Sequence, residues 1–378
     1  MLMTAPAPSE LAAACRGIGL RTVYQPIVDV ARGVVTGYES LVRFAAPPAN
    51  PELWFAAARR HGCEAELEAA ALASALSMRA TLPANCFLTV NVSPSALASG
   101  AVRQIWREHG SLDGLVVELT EQARIESYTI LEPDLNGLRA AGALIAVDDA
   151  GAGYAGLRHL LKLRPSIIKL DRDLVADIDL DETKRALTEM LGTFASRIDA
   201  WLLAEGIERE GELDTLAALG VPLVQGYLLG RPGPPWVQVD TDAALRLIAR
   251  SPRDARCGLR DHLVVAPATV ELSEAAALFA RPGVEVVVLV DSYERPVAAL
   301  RPDMAALGVI RPGMRANVDT PVAEVAARAV TRESGERFAP VLCTDSAGRY
   351  LGVVPMERLI TALAAGTDTH SERQQWSV

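Results

Sequence analysis

Eight short apolar runs recur between residues 22 and 225, and nearly every one ends on an amide, a carboxylate or an ammonium. The runs occupy residues 22–27, 34–41, 86–91, 115–118, 144–148, 167–171, 201–205 and 223–225. Helical stretches fall between most of them, at 65–80, 131–141, 183–195 and 211–219. Strands alternating with helices imply a mostly parallel sheet with its helices outside. Eight strands in the first 240 residues fit a closed (β/α)8 barrel better than a doubly wound sheet. The first two runs are separated only by a tight turn at 31–33, which leaves no room for a crossover helix, so they are expected to be antiparallel.

The polar strand ends carry the chemistry. Glu39 lies near the end of its run. Asn91, Glu118, the pair Asp148 and Asp149, Glu205 and Gln225 end theirs, and Lys169 sits within 167–171. In such a barrel the strand C-termini converge on one face, and that face holds the active site. Carboxylates gathered there repel one another unless cations intervene. Oxygen donors without histidine favour a hard ion, Mg²⁺ or Mn²⁺. Two such ions suit phosphodiester hydrolysis, because they acidify water and neutralise phosphate charge. Taken singly, a glutamate at a strand end is an ordinary solvated residue, Asp148-Asp149 a helix N-cap and Lys169 a surface lysine. Seven strand ends behaving alike are not explained that way.

Composition sets the bounds. A length of 378 residues suits two domains, and half the residues are hydrophobic, enough for sizeable cores. A net charge of −10 argues against a nucleic-acid polymer as partner, since such surfaces are basic. Five scattered cysteines without a C-x-x-C pair suit a reducing compartment. With no signal-peptide pattern and no run near the roughly 18 residues of a membrane span, the expectation is a cytoplasmic protein with no membrane partner.

The ordered motifs Gln25-Pro-Ile27, Glu39-Ser-Leu-Val-Arg43, Asn91-Val-Ser93, Glu118-Leu-Thr-Glu121, Asp148-Asp-Ala-Gly-Ala-Gly-Tyr154, Lys169-Leu-Asp171, Ala204-Glu-Gly-Ile-Glu208 and Gln225-Gly-Tyr227 with Arg231-Pro232 resemble the EAL family of cyclic di-GMP phosphodiesterases. The likeness covers roughly residues 8–240. It implies an EAL-type (β/α)8, TIM-like barrel with an antiparallel first strand, which hydrolyses cyclic di-GMP to linear pGpG. It also implies two ions, Mg²⁺ or Mn²⁺, per active site. By this resemblance Glu39, Asn91, Glu118 and Asp148 ligate metal, with Asp149 on the second ion. Lys169 positions the attacking water, and Glu205 and Gln225 hold the waters around the ions and the site's edge. Gln25 and Arg43 face substrate, and Glu121 anchors the loop after Asp149, which couples the site to a homodimer interface. Three positions depart from the family pattern: Ser40 for Ala, Ile207 for Val, and Ala150 where Phe is common in that loop. None removes a ligand. The alternative is a module that captures cyclic di-GMP without turnover. An HD-type site is unsupported, because none of the five histidines precedes an aspartate in a ligand cluster.

Pro232, Pro234 and Pro235 close the barrel region at about residue 240, and a linker of 241–260 follows, with a short helix at 241–250. Beyond it, Val286–Val290 and the turn Asp291-Ser-Tyr-Glu-Arg295 are echoed 54 residues later (345 − 291) by 340–343 and Asp345-Ser-Ala-Gly-Arg349. An alanine-rich helix precedes each copy, at 273–280 and 322–331. Residues 261–365 resemble an α+β pair of CBS motifs, with 366–378 as a polar tail. Such pairs often bind adenine nucleotides. Here Pro355 and Arg358, and Ala299 and Pro302 in the first copy, stand where ribose-fixing groups would be. The expectation is therefore association rather than nucleotide sensing.

Overall fold

The computed structural model describes residues 5–30, 32–119, 128–148, 160, 162–198, 200–239, 258–292, 294–318, 320–330, 332, 335–345 and 348–364, and divides into two compact units, Met1–Arg250 and Ser251–Val378. Among the described residues no helix is long and apolar enough to cross a membrane.

In the first unit eight strands close into a barrel in chain order: β1 (Leu20–Asp29), β2 (Val34–Phe44), β3 (Phe87–Val92), β4 (Leu115–Leu119), β5 (Leu144–Val147), β6 (Ile167–Leu170), β7 (Trp201–Ala204) and β8 (Leu223–Val224). All eight coincide with the apolar runs. β1 is antiparallel to both β2 and β8, and the other neighbours are parallel. The tight turn is the cause. The Gly33 N–H donates to Asp29 O at 2.8 Å, and Gly33 takes φ 64°, a left-handed value that costs glycine least. Helices Glu64–Leu76, Tyr128–Ala140, Glu182–Arg197 and Glu210–Ala218 occupy the expected places. Helix Pro51–His61 adds to them; Asn50 caps its start by accepting from Glu52 N–H at 3.0 Å.

The strand pleat explains where the site must lie. Side chains alternate between barrel interior and helix layer with period two. A buried layer of Ile27, Phe87, Val116, Ala146, Ile167, Leu203 and Leu223 fills the interior. The opposite faces carry Leu88, Val90, Val117, Ile145, Ile168 and Leu202, which join the larger core with the helices. Two residues beyond each interior side chain the chain points inward again, one layer nearer the rim. Those positions are Glu118 after Val116, Asp148 after Ala146, Lys169 after Ile167, Glu205 after Leu203 and Gln225 after Leu223. On antiparallel β1 the step runs backwards, from Ile27 to Gln25. β2 reaches Glu39 from Gly37, whose missing side chain makes room for the Phe87 ring; a Cβ there would lie 2.5 Å from it.

The second unit contains two three-stranded sheets of the same topology: β9 (Ala268–Thr269), β10 (Val287–Val290) and β11 (Pro296–Leu300); and β12 (Arg315–Asn317), β13 (Val341–Thr344) and β14 (Tyr350–Val354). In each, the first pair is parallel and spans an alanine-rich helix, Leu272–Phe279 or Val322–Val330, and the second pair is an antiparallel hairpin. The two hairpin turns share the same Asp-to-Arg bonds. Asp291 N–H donates to Arg295 O at 2.9 Å and Asp345 N–H to Arg349 O at 3.0 Å. Arg295 and Arg349 N–H return to the Asp Oδ1 atoms at 2.9 Å. The repeat is therefore structural. The fully buried Leu259 packs with Val325, Val341 and Leu359, so this unit's core begins before residue 261, inside the expected linker. The expected helix at 241–250 and the tail at 366–378 lie outside the described residues.

Candidate active site

Lys169 is 1% exposed at the end of the barrel interior, and its Nζ lies close to four carboxylates. It is 2.6 Å from Glu118 Oε2, 2.5 Å from Glu205 Oε1, 3.6 Å from Glu39 Oε1 and 3.7 Å from Asp148 Oδ1. Four strands, β2, β4, β5 and β7, thus deliver one acid each to the ammonium of a fifth, β6. Two amides continue the ring. Asn91 Nδ2 donates to Glu39 Oε1 at 3.1 Å, and Gln225 Nε2 donates to Glu39 Oε2 at 2.7 Å and to Gln25 Oε1 at 3.0 Å. Gln25 in turn donates to Gly230 O at 3.0 Å. Arg43 lies beside the cluster, in the wall of a cavity of about 340 Å³ that also touches Glu39, Asn91 and Asp148. Of the residues singled out in the sequence, these nine come together; Asp149 and Glu121 lie outside the described residues.

Buried charge makes this cluster electrostatically tense. Burial opposes the charge on Lys169, yet Glu118, Glu39 and Asp148 outweigh it and hold the ammonium's pKa above the usual lysine value. The side chain is therefore a fixed cation at neutral pH. Burial pushes the fully enclosed Glu118 up to about 7, with Lys169 pulling down and Glu39 and Asp148 pushing up. Glu118 Oε1 and Gln225 Oε1 are buried and have no hydrogen-bond partner among the described residues. A buried acceptor in that condition is costly unless a cation or donor meets it. Among the described residues no three acids converge with the spacing of one ion's ligands; the ammonium lies between them. Donor chemistry nevertheless fits a hard divalent ion: every candidate ligand is an oxygen, and Glu118 keeps one oxygen without a partner among the described residues.

Close backbone contact fixes the β7 and β8 ends. Ile207 N–H donates to Gln225 O at 3.1 Å and Leu228 N–H to Ile207 O at 3.1 Å. Gly226 permits the approach, since a Cβ would stand 2.1 Å from Ile207 O. Glu205 and Gln225 are thereby held in register. Ser40, one of the three departures from the family pattern, donates to Thr89 O at 2.7 Å on the buried side of β2.

Sequence reasoning passed over Glu68. It is 6% exposed, lines the same cavity and accepts from Ser93 N–H at 2.8 Å through Oε2. The available signal was its place on the buried stripe of helix Glu64–Leu76, in line with Leu72 and Ala75. Burial raises its carboxyl above the ordinary range, and the Ser93 hydrogen bonds oppose that rise.

A closed barrel with one antiparallel strand, carrying acids and a buried lysine at its rim, defines a TIM-like barrel with a polar, acid-rich site. The EAL domain model matches residues 9–232, and the chain belongs to that family. It is 29% identical over 237 residues to the cyclic di-GMP phosphodiesterase NbdA of Pseudomonas aeruginosa, covering 60% of this chain and 30% of that protein. Among solved structures it is similar to a PaMucR phosphodiesterase–c-di-GMP complex at 27% identity and TM-score 0.54, covering 60% of this chain and 97% of the other. It is also similar to a manganese/cyclic di-GMP complex of Klebsiella pneumoniae BlrP1 at 30% identity and TM-score 0.53, covering 57% of each. The chain spans about a third of the length of the curated relatives it matches.

Proposed function

We propose that this chain is a metal-dependent phosphodiesterase that opens cyclic di-GMP to linear pGpG. The observation that carries catalysis over simple capture is the ring around Lys169: four acids within 3.7 Å of one buried ammonium, with the amide of Asn91 bonded to Glu39. Glu39, Asn91, Glu118 and Asp148 would hold Mg²⁺ or Mn²⁺, with Asp149 serving a second ion. When bound, the ions supply Lewis acidity toward water and a phosphate oxygen. Lys169 then acts as a fixed cation that orients water and offsets charge on the scissile phosphate, not as a base, since its proton is held firmly. Glu205 keeps that ammonium in place, and Gln225 and Gln25 fix Glu39. Arg43 faces a substrate phosphate from the cavity wall.

The second unit reads best as a CBS-like pair that associates with a second copy. The support is its duplicated sheet and turn, with Pro355 and Arg358 in place of groups that would fix an adenine nucleotide's ribose. A C₂ homodimer is the expected symmetry. The test of the function is incubation of the purified chain with cyclic di-GMP and Mn²⁺, with products separated by chromatography. Release of pGpG is expected. Tight binding without release under any ion would favour the receptor alternative.

A further inference from the structure

The cysteines are scattered along the sequence, yet the fold brings two of them together across 48 positions (63 − 15). Cys15 follows helix Pro8–Ala14 as its C-cap. Cys63 occupies the elbow between helices Pro51–His61 and Glu64–Leu76, as the N-cap of the second. The Cys15 Sγ–H donates to Cys63 O at 3.8 Å, and the two thiol groups interact directly. Both are half-buried against a core of Leu11, Phe44, Trp54 and Leu67, so a small oxidant can reach them. Cys86 and Cys343 face sheet carbonyls instead, Val35 O at 3.7 Å and Val341 O at 3.8 Å. The elbow has a functional address, because both of its helices wall the cavity beside the acid cluster. Phe55 and Arg59 line it from one, Glu68 and Leu72 from the other.

We propose that Cys15 and Cys63 form a redox site, at which hydrogen peroxide oxidises the two thiols to one disulfide that staples the first helix to the elbow and stiffens that wall of the cavity. Burial first, then the neighbouring Cys63 thiol and Glu66, push the Cys15 thiol up to about 12, so Cys15 stays protonated and the first attack falls to Cys63. The Cys63 sulfur attacks one peroxide oxygen and the O–O bond breaks. The leaving oxygen departs as water with the Cys63 proton, and Cys63 becomes a sulfenic acid. The Cys15 sulfur then attacks the Cys63 sulfur, the S–O bond breaks, and hydroxide leaves as a second water with the Cys15 proton. In all, two thiols lose two electrons and two protons, and one peroxide is reduced to two waters. A thiol reductant reverses the bridge by exchange, as befits a sensing disulfide rather than a permanent one. The bridge would enclose β1, β2 and helix Pro51–His61, and closing a long loop restricts the unfolded chain.

The test treats the full chain with hydrogen peroxide or with dithiothreitol, blocks the remaining thiols, and maps linked peptides by mass spectrometry. A Cys15–Cys63 linkage is expected after peroxide and its loss after dithiothreitol. The oxidised protein should melt about 4–16 °C above the reduced one. Amide hydrogens across residues 51–76 should exchange more slowly in the oxidised form. Cys15→Ser and Cys63→Ser should each lose the linkage and the melting shift, and Cys86→Ser should keep both, with melts in dithiothreitol reporting whether each variant folds. The wild-type peptide map decides on the site even where a serine variant fails to fold. A wild type whose Cys15 and Cys63 stay unlinked in peroxide, or link only to other cysteines, would overturn the redox site. A Cys15–Cys63 linkage that leaves melting and exchange unchanged would overturn the stapling of the cavity wall.

Discussion

Replacing Lys169 by methionine should separate what the lysine does for folding from what it does for chemistry. The side chain is 1% exposed and its ammonium contacts the 0% exposed Glu118 at 2.6 Å. Breaking a buried pair by removing one partner costs about 3–5 kcal/mol, because the other charge is left uncompensated. For a domain of this size each kcal/mol moves the melting temperature by about 2–4 °C, so a fall of roughly 6–20 °C is expected in EDTA. The loss should grow with pH. Glu118 already sits near 7, raised chiefly by burial, and without Lys169 its pKa rises further. A raised carboxyl favours the folded state below its unfolded value of 4.5, and that contribution is lost as pH climbs through the folded value. Melting Lys169→Met and wild type at pH 6 and pH 8, each in EDTA and in Mn²⁺, tests the reasoning. Mn²⁺ should restore more stability to the variant than it adds to wild type, while turnover stays down by about 10²-fold or more. A variant as stable as wild type in EDTA at pH 8, or one with near-wild-type kcat, would refute it.

Three further outcomes follow from the same geometry. Metal affinity, measured by Mn²⁺ titration, should rise by up to about tenfold per pH unit below 7 and level off above it, because the ion must displace the proton that burial holds on Glu118. Ca²⁺ should bind yet inhibit, since its longer and less directional bonds misplace the reacting groups; equal rates in Ca²⁺ and Mg²⁺ would count against the ligand set. Gly226→Ala should destabilise by at least about 1–3 kcal/mol and lower turnover together, because its Cβ would strike Ile207 O and part the β7 and β8 ends; urea unfolding and a rate assay report both.

The barrel was legible because its two defining signals are local. Runs such as Ile167–Leu170 announce strands by composition, and the short Asp29–Gly33 turn forces the antiparallel pair. The site was legible for the related reason that period-two pleating places Glu118, Lys169 and Glu205 one layer above a continuous apolar plug. Glu68 escaped because a glutamate within a helix looks solvated until the partner across the layer is known. Only the fold brings Ser93 N–H, 25 residues away in sequence, to its carboxylate. The short strands β9 and β12 escaped for a similar reason. With two and three residues they carry little propensity of their own and exist by pairing with β10 and β13. The repeat in the second unit was visible in its Asp-to-Arg turns, where side chain and backbone bond within five residues.

The most direct test of the whole account is cyclic di-GMP turnover by the wild-type chain before and after metal stripping. The protein is dialysed against EDTA, assayed for linear pGpG, then assayed again with Mn²⁺ or Mg²⁺ restored. Glu39, Asn91, Glu118 and Asp148 offer only oxygen donors around a lysine that stays protonated, so the account predicts no product in EDTA and recovery with either ion. Undiminished cleavage by the stripped protein, or none with either ion restored, would contradict it.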